Sequence, residues 1–156
     1  MQEFFTGYAL NAIDAKNRVS VPAGYRDVVE RRSDARVVVL APHEREPCLI
    51  GYDRRHSAKL AEQIDRRFGD DFGPARDDAL RLAYGTTEQL PFDDNGRVVL
   101  STMLKDLGDL DKLAFFIAAG DVFEIWNPKV LKEVKGEDRR LMRILERQME
   151  ARGETL

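Results

Sequence analysis

Two five-residue stretches, Asp14-Ala15-Lys16-Asn17-Arg18 and Asp93-Asp94-Asn95-Gly96-Arg97, decide the fold of this chain. In each, an aspartate and an arginine bracket three residues. The last of the three is Asn17 in one stretch and Gly96 in the other, the two residue types that best tolerate positive φ. A three-residue hairpin loop needs that conformation at its last position, so the spacing has a mechanical cause. Asp14 and Asp93 are expected to form the turn, because a short carboxylate accepts hydrogen bonds from loop N–H groups. Asn95-Gly96 also fits a two-residue type I′ turn, so two loop geometries are open for the second stretch.

Outward from these turns the pattern repeats. An apolar segment, 4–13, leads into the first turn, and the strand Arg18-Val19-Ser20-Val21 leaves it and stops at Pro22. A helix over 25–32, β-branched strands over 36–40 and 48–52, and a helix over 57–68 with Leu60, Ile64 and Phe68 on one stripe come next. After a glycine-bearing break and a helix over 75–84, the programme restarts at Gln89-Leu90-Pro91-Phe92. The second turn leads to the strand Val98-Val99-Leu100, a short helix over 103–107, and strands over 113–118 and 122–126. Asn127 caps a helix opened by Pro128. Aligned with an offset of 79, residues 14–27 and 93–106 share four of 14 positions: Asp14/Asp93, Arg18/Arg97, Val19/Val98 and Asp27/Asp106. Chance pairing gives about one, so the halves descend from a duplication. Tyr52-Asp53 matches Trp126-Asn127, each an aromatic residue before a helix cap. A final amphipathic helix over 137–152 docks one stripe of Leu141, Ile144, Leu145 and Met149.

Composition narrows the function. The chain has 156 residues, 43% hydrophobic and 34% charged, with 25 basic and 28 acidic side chains and a net charge of -3. That length favours one domain or two very small ones. A general cationic coat for nucleic acid is excluded, so any such contact must come from local clusters. Residues 14–36 carry six basic groups against four acidic, whereas residues 93–112 carry three against five. The first half is thus the better partner for phosphate. A single cysteine, Cys48, fits a reducing compartment. The first eight residues lack the basic start of a secretory leader, and no apolar run reaches the roughly 20 residues of a membrane span. A cytoplasmic protein without a membrane partner is expected.

The turns allow a bland reading and a functional one. Asp and Arg could simply pair across the loop mouth, an exposed contact worth about 0–1 kcal/mol. Alternatively, the tip presents Lys16 and Arg18 to phosphate or to a guanine edge. Asp14 and Asp93 could in principle form an acid/base pair, but turn formation explains both. His43 and His56, 13 residues apart, read as surface histidines, with Cys48 a small buried residue; no zinc spacing, phosphate-cradling glycine loop or nucleophile elbow is present. No catalytic residue, cofactor or metal site is therefore expected. Phe115, Phe116, Phe123 and Trp126 read as core.

The chain resembles the MraZ family of bacterial transcriptional regulators. The likeness rests on Phe5-Thr6-Gly7-Tyr8, Ile13 through Pro22, Tyr25-Arg26, Phe92 through Leu100, and Phe123-Glu124-Ile125-Trp126. Asn17 replaces the usual glycine and Ser101 stands where the family often has proline. The resemblance implies an α+β fold of two AbrB-like swapped-hairpin β units forming one pseudo-twofold β-barrel with flanking helices. Its parts would be repeat 1 (5–54), connecting helices (55–82), repeat 2 (83–126) and C-terminal helices (127–156). It also implies a nucleoid-associated, ring-like homo-oligomer larger than a dimer. Such an oligomer would bind repeated double-stranded DNA sites and repress the operon for cell division and cell-wall synthesis, its own gene included. Lys16, Asn17, Arg18, Arg26 and Arg97 are the expected DNA-binding residues, and Asp14, Asp93 and Gly96 the turn formers. The competing expectation is a structural or protein-binding oligomer without DNA binding.

Overall fold

The computed structural model describes residues 3–156; Met1 and Gln2, at the head of the stretch read as lacking a leader, lie outside them. The first half contributes β1 (Tyr8–Ala12), β2 (Arg18–Ser20), α1 (Ala23–Ser33), β3 (Val37–Pro42) and β4 (Leu49–Tyr52). Two helices follow, α2 (Arg54–Phe68) and α3 (Pro74–Leu80), then a π-helical turn, Arg81–Gly85. The second half repeats the order with β5 (Glu88–Pro91), β6 (Arg97–Val99), α4 (Thr102–Leu107), β7 (Leu113–Ala118) and β8 (Phe123–Trp126). It ends in α5 (Pro128–Lys135) and α6 (Arg139–Ala151).

The strands form a six-stranded sheet, β1-β7-β8-β4-β3-β5, and a two-stranded ribbon, β2-β6, with every pairing antiparallel. Exchanging β1–β4 for β5–β8 returns the same order read backwards, as an internal twofold requires. The halves also interleave. The first strand of each pairs with the third strand of the other, β1 with β7 and β5 with β3.

This corrects one expectation. A hairpin loop leads one to expect its two flanking strands to pair with each other. Among the described residues, however, the main-chain bonds between them are confined to the Asp14–Arg18 and Asp93–Arg97 ends, with one side-chain bond, Asn11 Nδ2 to the Ser20 carbonyl at 2.7 Å, beyond the first. Beyond the bridge, β2 leaves β1 because Val19 and Val98, each 1% exposed, turn inward together beneath the ribbon. Period-two alternation then sorts the core. Val38, Leu40, Leu49, Phe116, Phe123 and Ile125 face the ribbon, α1 and α4. On the opposite face Leu10, Phe115 and Trp126 meet Leu131, Met142, Leu145 and Met149 of the last two helices.

The capping residues act as their types suggest. Asp53 accepts from the N–H groups of Arg55 and His56, Asn127 from Lys129, and Ser101 from Leu104. Two local expectations need correction. The helix read over 75–84 changes to π geometry from Arg81, and His56 is not on the surface. As the third residue after the Asp53 cap, His56 falls on the inner side of α2, 4% exposed and against the Tyr52 ring. Burial, then the Arg32 charge, hold its imidazole below the ordinary value. No helix among the described residues is long and apolar enough to cross a membrane.

Candidate nucleic-acid interface

The two turns are built alike, atom for atom. Asp14 Oδ1 accepts from the N–H groups of Lys16 and Arg18, both at 2.9 Å. Asp93 Oδ1 does the same with Asn95 at 2.8 Å and Arg97 at 2.9 Å. Asn17 N–H donates to the Asp14 carbonyl and Gly96 N–H to that of Asp93, closing each loop. The last loop residue carries the positive φ expected, 62° at Asn17 and 75° at Gly96. The three-residue geometry thus applies to both turns, which closes the choice left open for Asn95-Gly96. The Arg18 backbone N–H is the leading cause holding the Asp14 carboxyl below its ordinary range, and the Arg97 N–H does so for Asp93.

Each aspartate uses its second oxygen for its arginine. Arg18 Nε donates to Asp14 Oδ2 at 2.7 Å, and Arg97 Nε to Asp93 Oδ2 at 2.9 Å. The pairing foreseen as the bland alternative is therefore present, but it engages the guanidinium only through Nε. The terminal amino groups of both arginines have no hydrogen-bond partner among the described residues. The turn orients the arginine and leaves its fork to the outside. Each carboxylate is taken up by its own loop, so Asp14 and Asp93 do not make an acid/base pair.

The ribbon gathers these groups. Arg18 pairs with Val99, Val19 with Val98 and Ser20 with Arg97. Since Val19 and Val98 point inward, Arg18, Ser20, Arg97 and Val99 share the outer face. Arg18 and Arg97 are diagonal neighbours there, their Cα atoms about 8 Å apart by sheet geometry. At the tips, exposed Lys16 corresponds to exposed Asn95, and Ala15 to Asp94. One tip therefore adds a cation to the face and the other an anion.

Arg26, in α1, packs against the second turn. Its Nε donates to the Val21 carbonyl at 3.1 Å and its guanidinium lies flat against Gly96, where a Cβ would stand 2.3 Å from Cζ. Asn17 faces the other way, its Oδ1 accepting from Lys105 Nζ at 3.0 Å. Lys105 was not foreseen. The signal was present, since Lys105 is Arg26 shifted by 79, but it has meaning only once the halves are known to interleave. A second unforeseen feature is the buried pair of Arg32 and Asp53, 8% and 0% exposed, with Nε and Oδ1 3.0 Å apart. It ties α1 to the cap of α2 and is remote from the ribbon in sequence and role.

No family model matches the chain. Comparison with known proteins finds relatives over most of its length. A protein of Gluconacetobacter diazotrophicus named transcriptional regulator MraZ is 31% identical over 137 residues, covering 86% of this chain and 85% of its own. Its namesake in Saccharophagus degradans is 33% identical, with 79% of this chain and 82% of that one covered. That of Rickettsia akari is 34% identical, with 83% and 84% covered.

Proposed function

The chain belongs to the MraZ family of transcriptional regulators, and from that membership we propose that it controls transcription by binding double-stranded DNA through the outer face of the β2–β6 ribbon. It is not an enzyme. The observation that carries the DNA reading is the pair of arginines on that face, each aimed by an aspartate through Nε with its terminal donors unengaged. A two-stranded ribbon is one of the elements the major groove admits, and an arginine fork matches the O6 and N7 acceptors of guanine. Lys16 adds a phosphate contact at the more basic tip, and Asn17 holds that tip's shape.

In this reading the interleaved halves are two AbrB-like swapped-hairpin units forming one barrel, with repeats at 5–54 and 83–126, connecting helices at 55–82 and C-terminal helices at 127–156. The working form is a ring-like homo-oligomer in the cytoplasm, associated with the nucleoid. It represses the cell-division and cell-wall operon that contains its own gene. The reversed-but-identical strand order supports the swapped unit, and the difference in charge between the tips supports two non-equivalent contacts.

A titration of duplex DNA from upstream of its own gene tests the assignment. Arg18→Ala should abolish specific binding while the mass by light scattering is unchanged, because a half-buried ion pair within one loop adds little to the contacts between copies. Wild-type binding by Arg18→Ala, or loss only through dissociation of the oligomer, would move the DNA surface elsewhere. It would also favour a structural or protein-binding role.

A further inference from the structure

We propose that Arg26 and Lys105 are positioning residues, each clasping the turn of the opposite half; for their effect on DNA this rests on the reading of the ribbon as the DNA face. The first clasp is a closed circuit. Val21 N–H donates to the Gly96 carbonyl at 3.1 Å, and Arg26 Nε donates to the Val21 carbonyl, also at 3.1 Å. The guanidinium so held covers Gly96, with Cζ, Nη1 and Nε 2.3, 2.5 and 2.6 Å from where a Cβ would be. Gly96 is consequently buried although its neighbours Asp94 and Asn95 are exposed. Arg26 thus packs one face of its guanidinium on a loop, held there through Nε.

The second clasp is the same device in different residues. Leu100 N–H donates to the Asn17 carbonyl at 2.8 Å, and Lys105 Nζ donates to Asn17 Oδ1 at 3.0 Å. Within the chain the two columns vary together. The turn residue without a side chain faces the broad flat guanidinium, and the turn residue with one faces the slender amine. Arginine at 105 would meet the Asn17 amide where Arg26 meets bare backbone. Lysine at 26 would leave the surface over Gly96 uncovered. Asn17 in place of glycine is therefore one half of a matched pair. Because each clasp comes from the helix that follows the other half's short strand, the placement of Arg97 depends on α1 and that of Arg18 on α4.

Hydrogen exchange and a double-mutant cycle test this on the full chain. Arg26→Met keeps the apolar stem and should speed exchange of the Gly96 and Arg97 amides about tenfold, one charge-assisted hydrogen bond's worth, leaving those of Asn17 and Arg18 unchanged. Lys105→Met should do the reverse, and should do nothing further once Asn17→Gly has removed the acceptor. In DNA titration Arg26→Met should weaken binding, with no added loss in the Arg97→Ala background, since it acts through that turn. Additive losses would make Arg26 a direct DNA contact and overturn the proposal. Unchanged exchange at Gly96 and Arg97 would overturn it without any DNA present. The exchange effect in a chain that binds no DNA would leave the clasp standing and remove the DNA reading instead.

Discussion

At the scale of single residues, the two aspartates do most of the work at the site. Each carboxylate accepts two backbone N–H groups and one guanidinium, which is why both are held below their ordinary range. A carboxyl that holds its proton less tightly when folded contributes stability at pH values above the ordinary value of 3.8 and loses it as pH falls through the folded value. The turns should therefore loosen in acid. Asp14→Asn with Asp93→Asn should flatten the acid limb of a urea-midpoint-against-pH curve, and an unchanged limb would remove the two groups from it. Charge at the tips gives a second expectation. Asp94 is exposed where its counterpart is Ala15, so the second tip repels phosphate. Arg97→Ala should accordingly cost less affinity than Arg18→Ala. Asp94→Lys should tighten binding and steepen the salt dependence by about one phosphate contact. A DNA titration at several salt concentrations reads both; a looser Asp94→Lys complex would place that tip away from the duplex. The turn residues were legible because spacing and φ tolerance are local. The clasp residues were not, since Arg26 and Gly96 lie 70 positions apart and nothing local connects them.

At the scale of elements, legibility follows whether a pattern is completed within its own segment. Strands β3, β4, β7 and β8 showed as β-branched or aromatic runs, and α5 showed by Asn127 and Pro128. The partner of each strand did not show, because β1 and β5 are exchanged between halves and alternation alone does not say across which strand it is satisfied. His56 was misplaced for a related reason: one polar residue says nothing of which side of α2 it takes until Asp53 fixes the first turn. The last helix was the clearest stripe, and its energetic role can be measured. Met142, Leu145 and Met149 cover Leu10, Phe115 and Trp126, and Leu145 is wholly buried. A fully buried leucine in that cluster leaves a cavity when truncated, so Leu145→Ala should cost about 2–5 kcal/mol. Urea unfolding checks this, and a loss under about 1 kcal/mol would mean that α6 is not part of the cooperative unit. DNA affinity of the folded fraction should be unchanged, because α6 lies across the large sheet from the ribbon.

At the scale of the whole molecule, the proposed DNA binding asks how a chain of net charge -3 would hold a polyanion. One ribbon offers two arginine forks and a single tip lysine, enough for one or two guanines and a phosphate or so. Nonspecific attraction cannot supplement this, since acidic residues outnumber basic ones over the molecule. Repetition of the contact can. A chain whose two halves repeat one strand order carries two related but unequal surfaces, which allows head-to-tail association of the first half of one copy with the second half of the next. Such heterologous contacts close into rings where the rotation permits. Ribbons held at fixed spacing then turn the second and later contacts into intramolecular events, and affinity rises only if the DNA sites recur at the matching interval. Binding should therefore be weak to one site, strong to several at the native spacing, and weak again when half a helical turn is inserted between them. It should also fall steeply with salt. Light scattering should give a mass above that of a dimer at micromolar concentration. A monomer that binds a single site as tightly as an array would remove avidity from the account, and two arginines and a lysine would then have to supply all the affinity.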